Sequence, residues 1–176
     1  MRVVSSGRRR ILGIDPGSVV TGFAVIDAPA RPGGQAGCVV IDCLRLPAVS
    51  FVERLAIIFD EITRVITEYQ PGEMVVEDVF VSRNPASALK LGQARGAAIC
   101  AGAAQRLPVA EYTPTMIKKS IVGRGAADKQ QVQHMVRMLL NLKTAPQADA
   151  ADAAAAALCH LHHSQNPLAA TAGRAR

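Results

Sequence analysis

Arg10-Ile11-Leu12-Gly13-Ile14-Asp15-Pro16-Gly17 is an apolar run that closes on a carboxylate and a Pro-Gly turn signal. Its first six residues read as a strand, and Pro16-Gly17 stops it. Thr21 to Asp27 reads as a second strand. A proline- and glycine-bearing stretch from Ala28 to Ala36 then turns the chain into a third strand, Gly37 to Leu46. Connections this short predict an antiparallel meander.

Beyond the meander the pattern changes period. Ser50-Phe51-Val52-Glu53 matches a capping box, in which the serine oxygen and the glutamate satisfy free amides at a helix start. Leu55, Ile58, Phe59, Ile62, Val65 and Ile66 follow at helical spacing, up to Pro71-Gly72. Met74 to Val79 reads as a short apolar strand, and Asn84-Pro85 caps a helix running to about Ala103. Pro108 to Tyr112 is a strand, and Thr113-Pro114 opens a short helix carrying Lys118 and Lys119 that Gly123-Arg124-Gly125 breaks. Asp128 to Leu142 is helical with Val132, Met135, Val136 and Leu139 on one face, and a last helix follows Thr144-Ala145-Pro146 to about His162. The order β-β-β-α-β-α-β-α-α-α predicts an α/β fold, a mixed five-stranded sheet flanked by helices.

The 176 residues suit one domain with a buried core, and the 49% hydrophobic content argues against wholesale disorder. A net charge of +6 and a pI near 9.5 favour an anionic partner such as nucleic acid. Cys38, Cys43, Cys100 and Cys159 form no Cys-x-x-Cys pair and no disulfide spacing, which suits reduced thiols in the cytoplasm. No apolar run reaches transmembrane length, and no apolar signal core follows the basic start. The expected organisation is a basic extension over 1–9, a single domain over 10–163 and a flexible tail over 164–176.

Four of the 14 acidic residues stand where solubility does not call for them. Asp15 and Glu77 end or interrupt apolar strands, and Asp149 and Asp152 share one face of an alanine-rich helix. Ala148, Ala150, Ala151, Ala153 and Ala154 around them are small enough for close approach to a sheet. Carboxylates beside an apolar core are costly unless paired or bound to a cation. Arg10 is the one basic residue near Asp15 in sequence, and the others have none locally. Hard divalent ions take oxygen ligands, so converging carboxylates suit one or two of them. Two ions roughly 3.5–4 Å apart can activate water and stabilise the leaving oxygen in phosphodiester hydrolysis. Taken singly, each acid also has an ordinary explanation: a turn cap at Asp15, a solvated edge at Glu77-Asp78, a favoured helix start at Asp149 and Asp152.

The surrounding motifs add to this. Ile11 to Ser18 resembles the opening strand of the RuvC family of Holliday-junction resolvases, and Glu77-Asp78-Val79-Phe80 its second acidic segment. Ala88 to Gly96, Gln131 to Val136 and Pro146 to Ala153 resemble the remaining family segments, in family order and at similar intervals. The resemblance runs from about Ile11 to Asn166. It implies a ribonuclease H-like fold and a homodimer acting on four-way DNA junctions with the RuvA–RuvB branch-migration machine. It implies an endonuclease that makes paired symmetric nicks at a short thymine-containing sequence, leaving 5′-phosphate and 3′-hydroxyl ends.

Matched motif to motif, the metal-binding catalytic acids would be Asp15, Glu77, Asp149 and Asp152. The last position is histidine in some members, and aspartate here keeps an all-oxygen site suited to Mg2+, with Mn2+ as a substitute. Phe80 matches the aromatic beside the junction centre, suited to stacking on an unpaired base. Lys118 and Lys129 match lysines near the scissile strand, and Arg83, Arg95, Lys119 and Arg124 are further candidates for phosphate contact. Two positions depart from the pattern: Val19 replaces a residue that is basic in some members, and Asp78 one that is glutamine in many.

Other readings stay open at this level. Gly13 to Gly17 also resembles a phosphate loop of the actin–sugar-kinase type, though such proteins need two of these domains. A non-catalytic junction-binding protein would need only the basic surface. Cys159, His160, His162 and His163 invite a zinc reading, but their spacing fits no usual finger.

Overall fold

In the computed structural model, residues 9–31, 33–78 and 84–165 are described. Phe80 and Arg83 lie outside them. The first three strands are β1 (Arg10–Asp15), β2 (Val20–Asp27) and β3 (Gly37–Arg45), followed by α1 (Phe51–Tyr69), β4 (Glu73–Glu77), α2 (Pro85–Ala104) and β5 (Val109–Tyr112). Three helices close the chain: α3 (Pro114–Val122), α4 (Lys129–Leu139) and α5 (Ala148–Gln165).

The expected element order is present, and the sheet is five-stranded in the order β3-β2-β1-β4-β5. β1, β2 and β3 pair antiparallel, as their short links require, while β4 and β5 run parallel to β1 after helical crossovers. Alternate residues of β1 therefore face two different cores. Leu12 and Ile14 join Val25, Met74 and Val76 against Ile58, Ile62 and Val65 of α1 and Ala94, Ala98 and Ala101 of α2. Ile11, Ala24, Ile26 and Val75 pack on the opposite side against α5, with Ile117, Val132 and Val136 of α3 and α4 behind it.

Local signals set the helix ends. The Ser50–Glu53 capping box forms at α1, and a second one joins Asp128 to Gln131 at α4. Gly123, at φ 82°, closes α3 in the left-handed region where a side chain would be strained. Two ends differ from expectation. The α4 helix stops at Leu139 rather than Leu142, because Asn141 turns left-handed at φ 51°. The α5 helix continues three residues past His162 to Gln165, and Arg9 donates a hydrogen bond from its guanidinium to Ser164 Oγ. Arg9, placed by sequence in the basic extension, is thus part of the folded body.

Arg10, near Asp15 in sequence, is committed elsewhere. It does not serve Asp15, which lies at the far end of the same strand. Arg10 faces Asp27 across the β1–β2 ladder and holds it with Nε 2.7 Å from Oδ1.

Candidate active site

The C-terminal edges of two central strands bring the first two acids together. β1 and β4 are parallel with Ile14 opposite Val76, so Asp15 and Glu77, the next residue on each strand, emerge side by side on the α5 face. Two glycines let α5 settle onto that face. A Cβ on Gly13 would lie 2.1 Å from the Ala153 carbonyl oxygen, and one on Gly22 2.0 Å from that of Asp149. Since Gly22 is the ladder partner of Asp15, the helix backbone at Asp149 passes directly over the neighbour of the strand-borne acid. Ala150, Ala153, Ala154 and Ala157 are buried in the contact.

The outcome is a carboxylate cluster. Ligand oxygens of Asp15, Asp149 and Asp152 lie within 4.8 Å of one another, and Glu77 stands beside them, its charge acting on Asp15 and that of Asp152 acting on it. Burial, reinforced by the neighbouring Glu77, Asp152 and Asp149 charges, pushes the Asp15 carboxyl well above the usual range. Burial and then Asp152 raise Glu77, and burial also raises Asp152. Two lysines temper the repulsion: Lys129 Nζ, at the first turn of α4, is 3.8 Å from Asp152 Oδ2, and Lys118 on α3 acts on both Glu77 and Asp152. Neither forms a close pair with Asp15. Four partly buried acids with so little compensation fit a hard divalent cation, which would neutralise them and accept only oxygen ligands.

Of the residues singled out by sequence, Asp15, Glu77, Asp149, Asp152, Lys118 and Lys129 come together. Arg95 also lies at this edge but is engaged within the protein. Its Nε donates to the Glu77 carbonyl at 3.3 Å, and its Nη2 bonds Glu111 and stands 3.4 Å from Asp78. Glu111 was not singled out from sequence, where it is one exposed acid on an edge strand; its meaning comes only from the register that sets Val76 beside it. His160, of the histidine cluster, lies in another network: Nε2 is 2.7 Å from Glu73 Oε2 and Nδ1 is 3.0 Å from Tyr112 Oη. His162 Nδ1 is 3.1 Å from Ser120 Oγ, and His163 Nδ1 is 3.0 Å from the Cys159 carbonyl.

The sequence profile described as crossover junction endodeoxyribonuclease RuvC matches residues 11–160. The chain belongs to the RuvC family. The RuvC of Idiomarina loihiensis is 52% identical over 168 residues, 94% of each chain. Thermus thermophilus RuvC superposes with a TM-score of 0.80 at 31% identity, over 89% of this chain and 95% of that one. The same RuvC in complex with Holliday junction substrate gives a TM-score of 0.83 at 31% identity, over the same shares. The sheet and its flanking helices are therefore those of the ribonuclease H-like RuvC fold. Among the described residues no helix is long and apolar enough to cross a membrane.

Proposed function

We propose that this chain resolves four-way DNA junctions by paired, symmetric, divalent-metal-dependent nicks during recombination and repair. The observation that carries the reading is the convergence of Asp15, Glu77, Asp149 and Asp152 at one sheet edge in a RuvC-family endodeoxyribonuclease. These four would hold Mg2+, or Mn2+ in its place, as one or two ions. When bound, such ions supply charge neutralisation, activation of water and stabilisation of the leaving oxygen.

The chain's own groups do the rest. The parallel β1–β4 pair fixes Asp15 and Glu77, and α5 fixes Asp149 and Asp152, so the ligands are organised before substrate arrives. Lys118 and Lys129 provide positive charge at the rim, suited to the scissile strand and to negative charge developing on its phosphate. Phe80 and Arg83, outside the described residues, are proposed from the family pattern to stack on an unpaired base and contact phosphate. Hydrolysis would leave 5′-phosphate and 3′-hydroxyl ends. A two-fold homodimer would match two such sites to the approximate two-fold symmetry of the junction, with the RuvA–RuvB machine as partner in the cytoplasm. Residues 10–163 would form the body of the nuclease domain, with Arg9 and the end of α5 at Ser164 joined to it, flanked by the rest of the basic start and the small, polar tail.

The test is a labelled mobile four-way junction beside linear duplex, with magnesium or chelator. Paired nicks on the junction alone, lost with chelator, support the reading. Tight binding without nicks in magnesium or manganese, across several junction sequences, would make the chain a binding module and remove the roles of the four acids.

A further inference from the structure

A groove beside the catalytic edge is lined by Ser18 and Val19 of the β1–β2 turn, Val49, Phe51 and Arg54 at the start of α1, and Lys90 of α2. Two cations meet there, and among the described residues no acid lines it. The Arg54 guanidinium makes one hydrogen bond, from Nη1 to the Ser18 carbonyl at 3.3 Å, while its Nε is buried with no acceptor. Lys90 Nζ lies over the Phe51 ring, 5.8 Å from its centroid. Neither cation has a carboxylate partner among the described residues. A half-buried arginine without a counter-charge is costly, and an anion in the groove would remove that cost.

The turn that anchors Arg54 is itself held. Thr21 Oγ1 donates to the Gly17 carbonyl at 3.0 Å and accepts from the Gly17 amide at 3.2 Å. A Cβ on Gly17 would lie 1.9 Å from the Val20 carbonyl oxygen, so the turn is closed too tightly for any side chain there. Ser18 is thus fixed three residues from Asp15, which places the Ser18 wall of the groove within about 11 Å of that acid along the chain. At roughly 3.4 Å of rise per nucleotide, this is within about three nucleotides of a scissile phosphate. Exposed Val19 and Val49 offer an apolar wall suited to deoxyribose.

We propose that this groove binds a backbone phosphate of the DNA strand being cut, through Arg54 and Lys90. The proposal rests on the junction-nuclease reading, and its test separates the two.

Junction binding is measured by fluorescence anisotropy in calcium across a salt series, for the full chain and for Arg54→Gln, Lys90→Gln and Val19→Arg. Each loss variant is expected to weaken binding about 5- to 20-fold near 0.1 M salt and to flatten the log–log salt slope by about 0.9. Val19→Arg is expected to tighten binding and steepen the slope. Neutral methylphosphonate linkages are then placed singly within three nucleotides of the cut. One linkage should weaken the parent protein and leave Lys90→Gln unaffected. Exposed Lys90 and Val19 keep the test decisive if Arg54→Gln fails to fold. If the parent binds the junction with a normal salt slope, but Lys90→Gln keeps that slope and loses affinity at every methylphosphonate the parent does, the groove holds no phosphate. If the parent shows no salt-dependent junction binding, the junction reading itself fails.

Discussion

Gly22 and Asp149 meet backbone to backbone: a single added methyl on Gly22 would sit 2.0 Å from the Asp149 carbonyl oxygen. The contact ties the height of α5 above the sheet to the geometry of the acid cluster. Gly22→Ala must therefore lift the helix start or bend β2. Overpacking of this kind costs about 1–3 kcal/mol, measurable by urea unfolding. Nicking should fall on the order of 100-fold, since a 1 Å misplacement can cost that much. Junction affinity should stay within a few-fold. Full nicking by a folded Gly22→Ala would show that α5 height does not set the site.

Without a cation, the acid cluster resists full ionisation. Asp15, Glu77 and Asp152 all have folded-state proton affinities above those of the unfolded chain. The folded protein then holds more protons from the ordinary carboxylate range, about pH 4, upward. Without metal, this contribution to stability is fully present below that range, and it falls as pH rises toward the raised folded values. Magnesium should raise the melting temperature, and raise it more at pH 8 than at pH 5.5. Asp15→Asn should stabilise the chelated protein by about 1–2 kcal/mol, shrink the magnesium increment and reduce nicking on the order of 100- to 1000-fold. Calorimetry with and without chelator checks the sign.

Where the sequence is legible, it is through period and caps. The 2-to-3.6 switch in hydrophobic spacing, the Ser50–Glu53 box and the Gly123 stop are local physics, and each forms where its residues stand. The four acids are weak signals one by one and become a set only through the ordered motifs around them. Other features depend on register, which no local pattern carries. Arg10 is close to Asp15 in sequence, yet pairs with Asp27 because the antiparallel ladder puts those two opposite. Gly13 and Gly22 read as ordinary strand glycines until α5 is seen to cross them. Lys129 reaches Asp152 only through the packing of α4 on α5.

At the other end of β4, Glu73 is held by Arg9, with Nη2 2.7 Å from Oε2, and by His160 Nε2, also at 2.7 Å. The Arg9 hydrogen bond is the larger influence and overcomes partial burial, bringing the Glu73 carboxyl down to about 2. A lowered acid contributes stability above its unfolded value of about 4.3 and loses it as pH falls toward the folded value. Acid unfolding between about pH 4.5 and 2 should therefore be shallower in Glu73→Gln than in the parent. The variant should lose about 1–2 kcal/mol at neutral pH, because part of the pairing is screened by solvent. Nicking at saturating magnesium should change little. Equal acid slopes would mean that the Arg9–Glu73 pair is not formed in solution.

Arg95 separates two roles that sequence alone confuses. As a phosphate contact, its loss would weaken DNA binding and reduce the salt slope by about one, leaving the bound complex to cut normally. The geometry points elsewhere: its guanidinium joins the Glu77 carbonyl, Asp78 and Glu111, so it staples the end of β4 to β5 and balances two acids beside the carboxylate cluster. Removing it frees the strand end that carries Glu77. Arg95→Ala should therefore lower kcat about 10- to 100-fold and raise the magnesium concentration for half-maximal rate. Arg95→Lys should restore charge but little of the rate, because an ammonium cannot span three acceptors in a plane. The salt slope distinguishes the outcomes. A slope reduced by about one with unchanged kcat restores the phosphate role, while an unchanged slope with lowered kcat and weaker metal dependence establishes Arg95 as the residue that positions Glu77.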